Sequence, residues 1–380
     1  MATAKKDPVL VILQLSGGND YLNTVVPHSN PLYADNRTNL QVPEDDVLKL
    51  NDDIGFNPTM APIKEMWDRG NVAILHGVGW EGSNRSHFRC MDIWHTIDTE
   101  KIGEEGWLGR AIRQLDPKGE NPVTAVNVGQ GLPRALVAPG ASVASVADLN
   151  SYGMLTAIEE KDKRDRMLER FKKMYAPALG QGPVMDYLGQ TGLDALRGAD
   201  MLKTAPQMYD SQVEHSNSPL AKKMKDISMI HQAGLGTRIL YTEHGGYDTH
   251  ASQATAHPKL WNEVSTSIQD FWDDLRENDA DENVVMFIFT EFGRRVKENG
   301  TGTDHGAGGV AFAIGPRVSG GIYGEYPSIK PEELVEGDLK PSMDFRQAYT
   351  TLLEDHMKLD PISIVDGTYE KPQFIKTNGT

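Results

Sequence analysis

Residues 284–309, VVMFIFTEFGRRVKENGTGTDHGAGG, decide how the chain must fold. They open with an unbroken apolar run from Val284 to Phe289, then set Glu291, Arg294, Arg295, Asp304 and His305 among glycines. An apolar run without polar alternation predicts a strand covered on both faces, as at the centre of a parallel sheet. In open α/β sheets the ligand crevice lies beyond the carboxyl ends of such strands, which is where these charged residues fall.

Working outward, the same arrangement recurs. VLVILQL, residues 9–15, predicts a buried strand; the SGGND that follows puts Asp20 at its carboxyl end, either as a site carboxylate or, like Asn19, as a helix cap. NVAILHGVGW, residues 71–80, predicts another, followed by a polar turn over Gly82–Ser86 and a helix that starts at Ser86 or His87 and carries Phe88, Met91, Ile93 and Trp94. A serine at that position is a good N-cap. It is also well placed as an oxygen nucleophile, because exposed amides and the helix dipole stabilise negative charge there, and Ser83 is the alternative on the same turn. RILYT, residues 238–242, is a shorter strand, after which come Asp248 and His250, with His244 and His257 nearby. An Asp-x-His on a loop suits zinc, manganese or iron.

Between these strands the pattern predicts helices over 59–70, 107–115, 184–203, 222–234 and 258–276, and a strand over 123–129. Residues 31–58, rich in Asp, Asn and Pro, read as a long surface connection. Residues 154–175 read as an exposed helix with one apolar stripe that includes Leu155 and Ile158. The whole chain, 1–380, reads as one domain with a helical insertion at about 150–220.

Composition narrows the function classes. Fifty-four acidic against 38 basic residues give a net charge of −16, which disfavours nucleic acid and anionic membrane surfaces as partners. Handling an anionic substrate would then require a local positive centre, from arginines or metal ions. Cys90 is the only cysteine, so neither an intramolecular disulfide nor a thiolate cluster is available. No stretch reaches the length of a membrane span, and the start of the chain lacks an apolar signal core; the expectation is a cytoplasmic protein as the chain stands, periplasmic or exported if a leader was removed.

Asp20, Asp248 and Glu291 thus stand after three predicted strands, with His250 and His305 beside them, which points to a shared crevice for one or two cations. QLSGGNDYLNTVVP (14–27), RSHF (85–88), GGYDTH (245–250), FTEFGR (289–294), GTDHG (302–306), GGIYG (320–324) and DFR (344–346) resemble a widespread bacterial family of uncharacterised proteins in the alkaline phosphatase superfamily. The resemblance implies a three-layer α/β sandwich around a mostly parallel sheet. It implies a divalent metal site, zinc or manganese, drawn from Asp20, Asp248, His250, Glu291 and His305. It also implies a serine nucleophile, Ser86 or alternatively Ser83; the reading adopted has Ser86 attacking a phosphate or sulfate ester, with catalytic roles for His87 and Arg294 and with Arg294 or Arg295 holding the ester oxygens. At Phe292 the chain departs from the superfamily, which places a histidine there. The alternative expectation is a binding protein that keeps the fold and takes an anion or a metal without turnover.

Overall fold

The computed structural model describes residues 6–149, 152, 160–175 and 182–377. β1 (Val9–Ser16) leads into a single helical turn, α1 (Tyr21–Thr24), and a short strand, β2 (Val25–Val26). α2 (Pro31–Asn36), β3 (Leu48–Lys49), β4 (Gly55–Phe56) and α3 (Ala61–Asp68) follow, then β5 (Val72–Gly79), α4 (His87–Thr96) and α5 (Trp107–Leu115). The middle of the chain forms β6 (Ala125–Val128), β7 (Val143–Val146), α6 (Lys161–Tyr175), α7 (Pro183–Leu202), α8 (Ala205–Met208) and α9 (Pro219–Gln232). β8 (Ile239–Gly245), α10 (Gln253–Glu277), β9 (Val284–Thr290) and β10 (Gly309–Ile314) return to the sheet. β11 (Gly321–Tyr323), β12 (Met343–Asp344), α11 (Phe345–Thr351) and α12 (Ile362–Val365) complete the order.

Nine strands form one sheet in the order β11-β5-β10-β9-β1-β8-β6-β7, with β12 also paired to β5. Every pairing in it is parallel except those of β10, which runs against both β9 and β5. The predicted double burial is realised residue by residue. Val9, Val11, Leu13 and Leu15 of β1 enter one core, where α3, α9 and α10 pack; Leu10 and Ile12 enter the other, under α4, α5 and α11. β9 alternates in the same way, Met286 and Ile288 on one face and Phe287 and Phe289 on the other. The result is an α/β sandwich of three layers with a mostly parallel central sheet, as expected. Among the described residues no helix is long and apolar enough to cross a membrane.

Residues 31–58 differ from the expected surface connection. They hold α2, and β2, β4 and β3 form a second, three-stranded sheet. Tyr33, Arg37 and Phe56 are fully buried there. The Asn residues that suggested a loop act as caps: the Asn30 side chain accepts from the Leu32 amide and Asn57 from Thr59, each at 3.1 Å. The strand β7 was not read, being short and only alternately buried. α10 begins at Gln253 rather than near Pro258, because this proline sits inside the helix instead of opening it. In the middle region α6 matches the predicted helix from Lys161 onward, whereas Leu155 and Ile158 of the predicted stripe lie outside the described residues.

The segment between α8 and α9 is tied to α10 by Asp274, whose side chain is inaccessible to solvent. Tyr209 Oη donates to it at 2.8 Å, Gln232 Nε2 at 3.0 Å, and His215 Nε2 lies 3.1 Å away. Burial alone would raise the pKa of this carboxyl, but the hydrogen bonds from His215 and Tyr209 outweigh it and hold it at about 2. A depressed carboxyl stabilises the fold above its unfolded pKa and loses that contribution as pH falls toward the folded value. Asp274→Asn is therefore expected to cost about 2 to 3 kcal/mol in urea unfolding at pH 7 and roughly half as much at pH 3. An equal loss at both pH values would show that the charge is not what matters.

Candidate metal centre

Parallel pairing puts Ser16 of β1 beside Gly245 of β8, and Leu15 beside Thr290 of β9, so the loops leaving these strands start from one level. Gly17, at φ +122°, is where the first of them closes on the second; a Cβ there would overlap the Asp248 amide nitrogen. The chain then returns from β9 toward β10 through a bridge between Arg294 and His305, which sets His305 at the same edge. The corner from β5 into α4 brings Ser86 and His87. Arg85, just before it, takes a left-handed φ of +61°, unusual for a residue with a side chain, and is held by ion pairs with Asp338 at 2.6 Å and Glu336 at 3.2 Å.

Hydrogen-bond accounting shows what this edge presents. Glu291, 2% exposed, accepts from the Gly17 amide at 2.8 Å and from Thr290 Oγ1 at 2.9 Å, and its Oε1 lies 2.8 Å from His87 Nδ1. A charged acceptor at that distance fixes the ring proton on Nδ1 and leaves Nε2 as a lone pair directed outward. His305 is held the same way, with Nδ1 2.8 Å from the Arg85 carbonyl oxygen, which can only accept. The two Nε2 atoms face each other at 3.0 Å, and Asp248 Oδ1 lies 3.0 Å from one and 3.5 Å from the other. Two imidazole nitrogens and a carboxylate oxygen within 4.8 Å of one another form a group that could hold a cation. The hydrogen bond with Glu291 also raises the His87 pKa above the ordinary value, against the effect of burial.

Arg294 steadies Asp248 at Oδ1, the oxygen that the imidazoles also face. Burial works against the charge of Asp248, while the hydrogen bond and positive charge of Arg294 help to bring this carboxyl below the usual range. Arg294 is fully buried. Its Nη1 donates to Asp248 at 2.9 Å and to the Gly17 carbonyl at 3.1 Å, its Nε to Thr303 Oγ1 at 3.2 Å, and its Nη2 to the Thr303 carbonyl. That geometry makes it a support for Asp248, with a donor on each of its three nitrogens already engaged, and not a group reaching for the oxygens of an ester. Arg295 is likewise engaged, with Asp338 at 3.3 Å and the Glu336 carbonyl at 2.7 Å.

Of the five expected ligands, Asp248 and His305 come together, and His250 joins them with Nδ1 2.9 Å from Asp248 Oδ1. Glu291 stands one bond further out, behind His87, with its oxygens occupied. Asp20 stands apart: it is fully buried and forms a double hydrogen bond with Arg37 at 2.5 and 2.9 Å, with Gln253 Nε2 also donating to it. Burial would raise the Asp20 pKa, and Arg37 more than reverses this. His87, expected in a catalytic role, is the third member of the group that could hold an ion. The available signal was its place at the start of a helix after a buried strand; the missing information was the Glu291 contact that turns its Nε2 outward. His244 and His257 go elsewhere, to Tyr247 Oη at 3.1 Å and Asn19 Oδ1 at 3.1 Å. Ser86 caps α4, its Oγ accepting from the Arg89 amide at a long 3.5 Å, and it lines a cleft of about 800 Å³ together with Ser16, His87, Asp248 and Glu291. Ser83 instead lies 3.8 Å from Cys90 Sγ.

A family described as "Protein of unknown function (DUF1501)" matches residues 7–366, as the sequence motifs implied. Among solved structures, the chain is similar to a protein in the alkaline phosphatase superfamily from Vibrio parahaemolyticus, at 7% identity and a TM-score of 0.37, over 84% of this chain and 63% of that one. It is similar to the PsFucS1 sulfatase from Pseudoalteromonas sp. at 12% identity and a TM-score of 0.39, over 98% of this chain and 73% of the other. The alkaline phosphatase from the Antarctic bacterium TAB5 shows 9% identity and a TM-score of 0.33, over 84% of this chain and 95% of the other. No curated protein matches.

The buried pair of Asp20 and Arg37 yields its own prediction. Asp20→Asn leaves a buried guanidinium uncompensated and is expected to lower unfolding free energy by about 3 to 5 kcal/mol, whereas Asp20→Asn combined with Arg37→Met recovers most of the loss. Chemical denaturation of the single and double variants checks this; equal losses in both would contradict it.

Proposed function

The chain belongs to the DUF1501 family, and we propose that it is a metal-dependent hydrolase of a small phosphate or sulfate ester, working at one divalent ion held by His87, Asp248 and His305. The observation that carries this reading is the convergence of two imidazole lone pairs on one carboxylate oxygen, each imidazole locked by an acceptor at its other nitrogen. Two nitrogens and an oxygen suit zinc or manganese and leave room at the ion for the substrate. When bound, such an ion neutralises the ester's anionic oxygens and makes a nearby hydroxyl more acidic.

The chain's own groups do the rest. Glu291 keeps the proton of His87 on Nδ1, so that Nε2 faces the ion. Arg294 fixes Asp248. His250, next to Asp248 and exposed, stands where it can take or give a proton. Ser86, the N-cap of α4, attacks phosphorus or sulfur as its hydroxyl proton passes to water; the ester oxygen departs with its bonding pair and takes up a proton as the alcohol, and water then displaces the serine, releasing phosphate or sulfate and restoring the hydroxyl. The opening amides of α4 lack helical partners and favour the negative charge that develops beside them.

A second reading, binding without turnover, is favoured by Phe292. Its ring, 2% exposed, packs 4.9 Å from the His87 ring and 5.0 Å from that of His305, at the position where the superfamily pattern has a histidine. A hydrocarbon wall there fits one ion and not two.

Elemental analysis after chelation and reloading is expected to find about one zinc or manganese ion per chain, lost in His305→Ala and Asp248→Asn. On aryl phosphates and aryl sulfates, Ser86→Ala is expected to lose about 100-fold or more in turnover. Equal turnover by wild type and variant would assign the attack to water instead, and a fully loaded protein that turns over no ester would favour the binder.

A further inference from the structure

We infer that Phe88, Met91 and Ile102 form an apolar jaw for the non-reacting body of the substrate, so that the ester carries an aromatic or aliphatic alcohol portion rather than a sugar or a nucleotide. This rests on the ester-hydrolase reading above and specifies which esters fit it. Phe88 follows His87 directly and is 92% exposed, while Ile102 is 68% exposed. Both line the cleft that also holds His87, Asp248 and Glu291, and Met91 is part of the same lining. Single exposed apolar side chains are ordinary; two large ones sharing a cleft with a convergent polar cluster have the make-up of a small-molecule site.

The far side of the jaw is also clamped in place. Arg89 donates to the Lys101 carbonyl at 2.7 Å and to the Asp98 carbonyl at 3.1 Å, and Arg134 donates to the Gly103 carbonyl. Asp92, 7% exposed, holds both guanidinium groups, at 2.8 and 2.7 Å. Backbone on either side of Ile102 is thereby fixed by two cations that share one buried carboxylate. A loop so anchored presents Ile102 to the cleft by construction. Hydroxyl groups of a sugar would meet phenyl, thioether and branched alkyl surfaces that offer no partners, and each unpaired one would cost affinity. A ring or chain of carbon would displace water from the same surfaces.

The test is calorimetric titration of the zinc-loaded full chain with ethyl-, butyl-, hexyl- and phenylphosphonate, with inorganic phosphate as the reference. Affinity is expected to rise by about two- to fourfold for each added methylene, up to the length of the cleft. Phe88→Ser and Ile102→Ser are expected to flatten that rise while binding inorganic phosphate as wild type does. Binding of phosphate with no dependence on chain length in wild type would overturn the jaw and leave the metal-site reading intact. Failure of every probe, phosphate included, would overturn both. Sedimentation of wild type, but not Phe88→Ser, with phosphatidylcholine vesicles would assign the exposed pair to a lipid surface and overturn the jaw as well.

Discussion

The parallel pairing of β1 with β8 on one side and β9 on the other is the constraint on which the rest depends. Three strands that run the same way end at the same level, and whatever follows them must meet. A strand buried on both faces cannot slip by one residue without exchanging its two apolar sets, and β1 sends alternate residues into two separate cores. Register is therefore tightly set, and with it the height at which Gly17, Asp248 and Glu291 leave the sheet.

Charge inside this acidic protein is arranged by the same economy. Asp20 and Asp248 each have a fully buried arginine, Arg37 and Arg294, as close partner. The first pair is closed: both carboxylate oxygens of Asp20 are taken up by the guanidinium, and the pair belongs to the support of the fold. The second is more open: Arg294 meets Asp248 at Oδ1 alone, the same oxygen that the His87 and His305 imidazoles face. The difference between a structural carboxylate and a candidate ligand lies in how many of its lone pairs the interior already occupies.

Much of this was legible in the sequence. The long apolar runs pointed to the strands β1, β5 and β9 as buried on both faces, and the three-layer arrangement followed from the family resemblance. Asp248 and His305 were legible because Asp-x-His and Asp-His stand among glycines after strands. Arg37 was not, since it lies in a stretch whose Asn and Pro content reads as loop and whose caps become visible only once α2 is formed. The part played by His87 was hidden for a different reason: the direction of an imidazole lone pair depends on which nitrogen finds an acceptor, and Glu291 is remote in sequence. The engagement of Arg294 was equally invisible, because its partners include backbone carbonyls, which a sequence pattern does not display.

β10 is the one strand of the main sheet that runs against its neighbours. Its reversal makes β9 and β10 a hairpin, and both Glu291 and His305 ride on the connection between them. Closing a short contour costs little chain entropy compared with the crossovers that bring in β5 and β8. One flank of the centre is thus supplied by a single local connection, while the serine-histidine corner that meets it comes from 204 residues away in sequence.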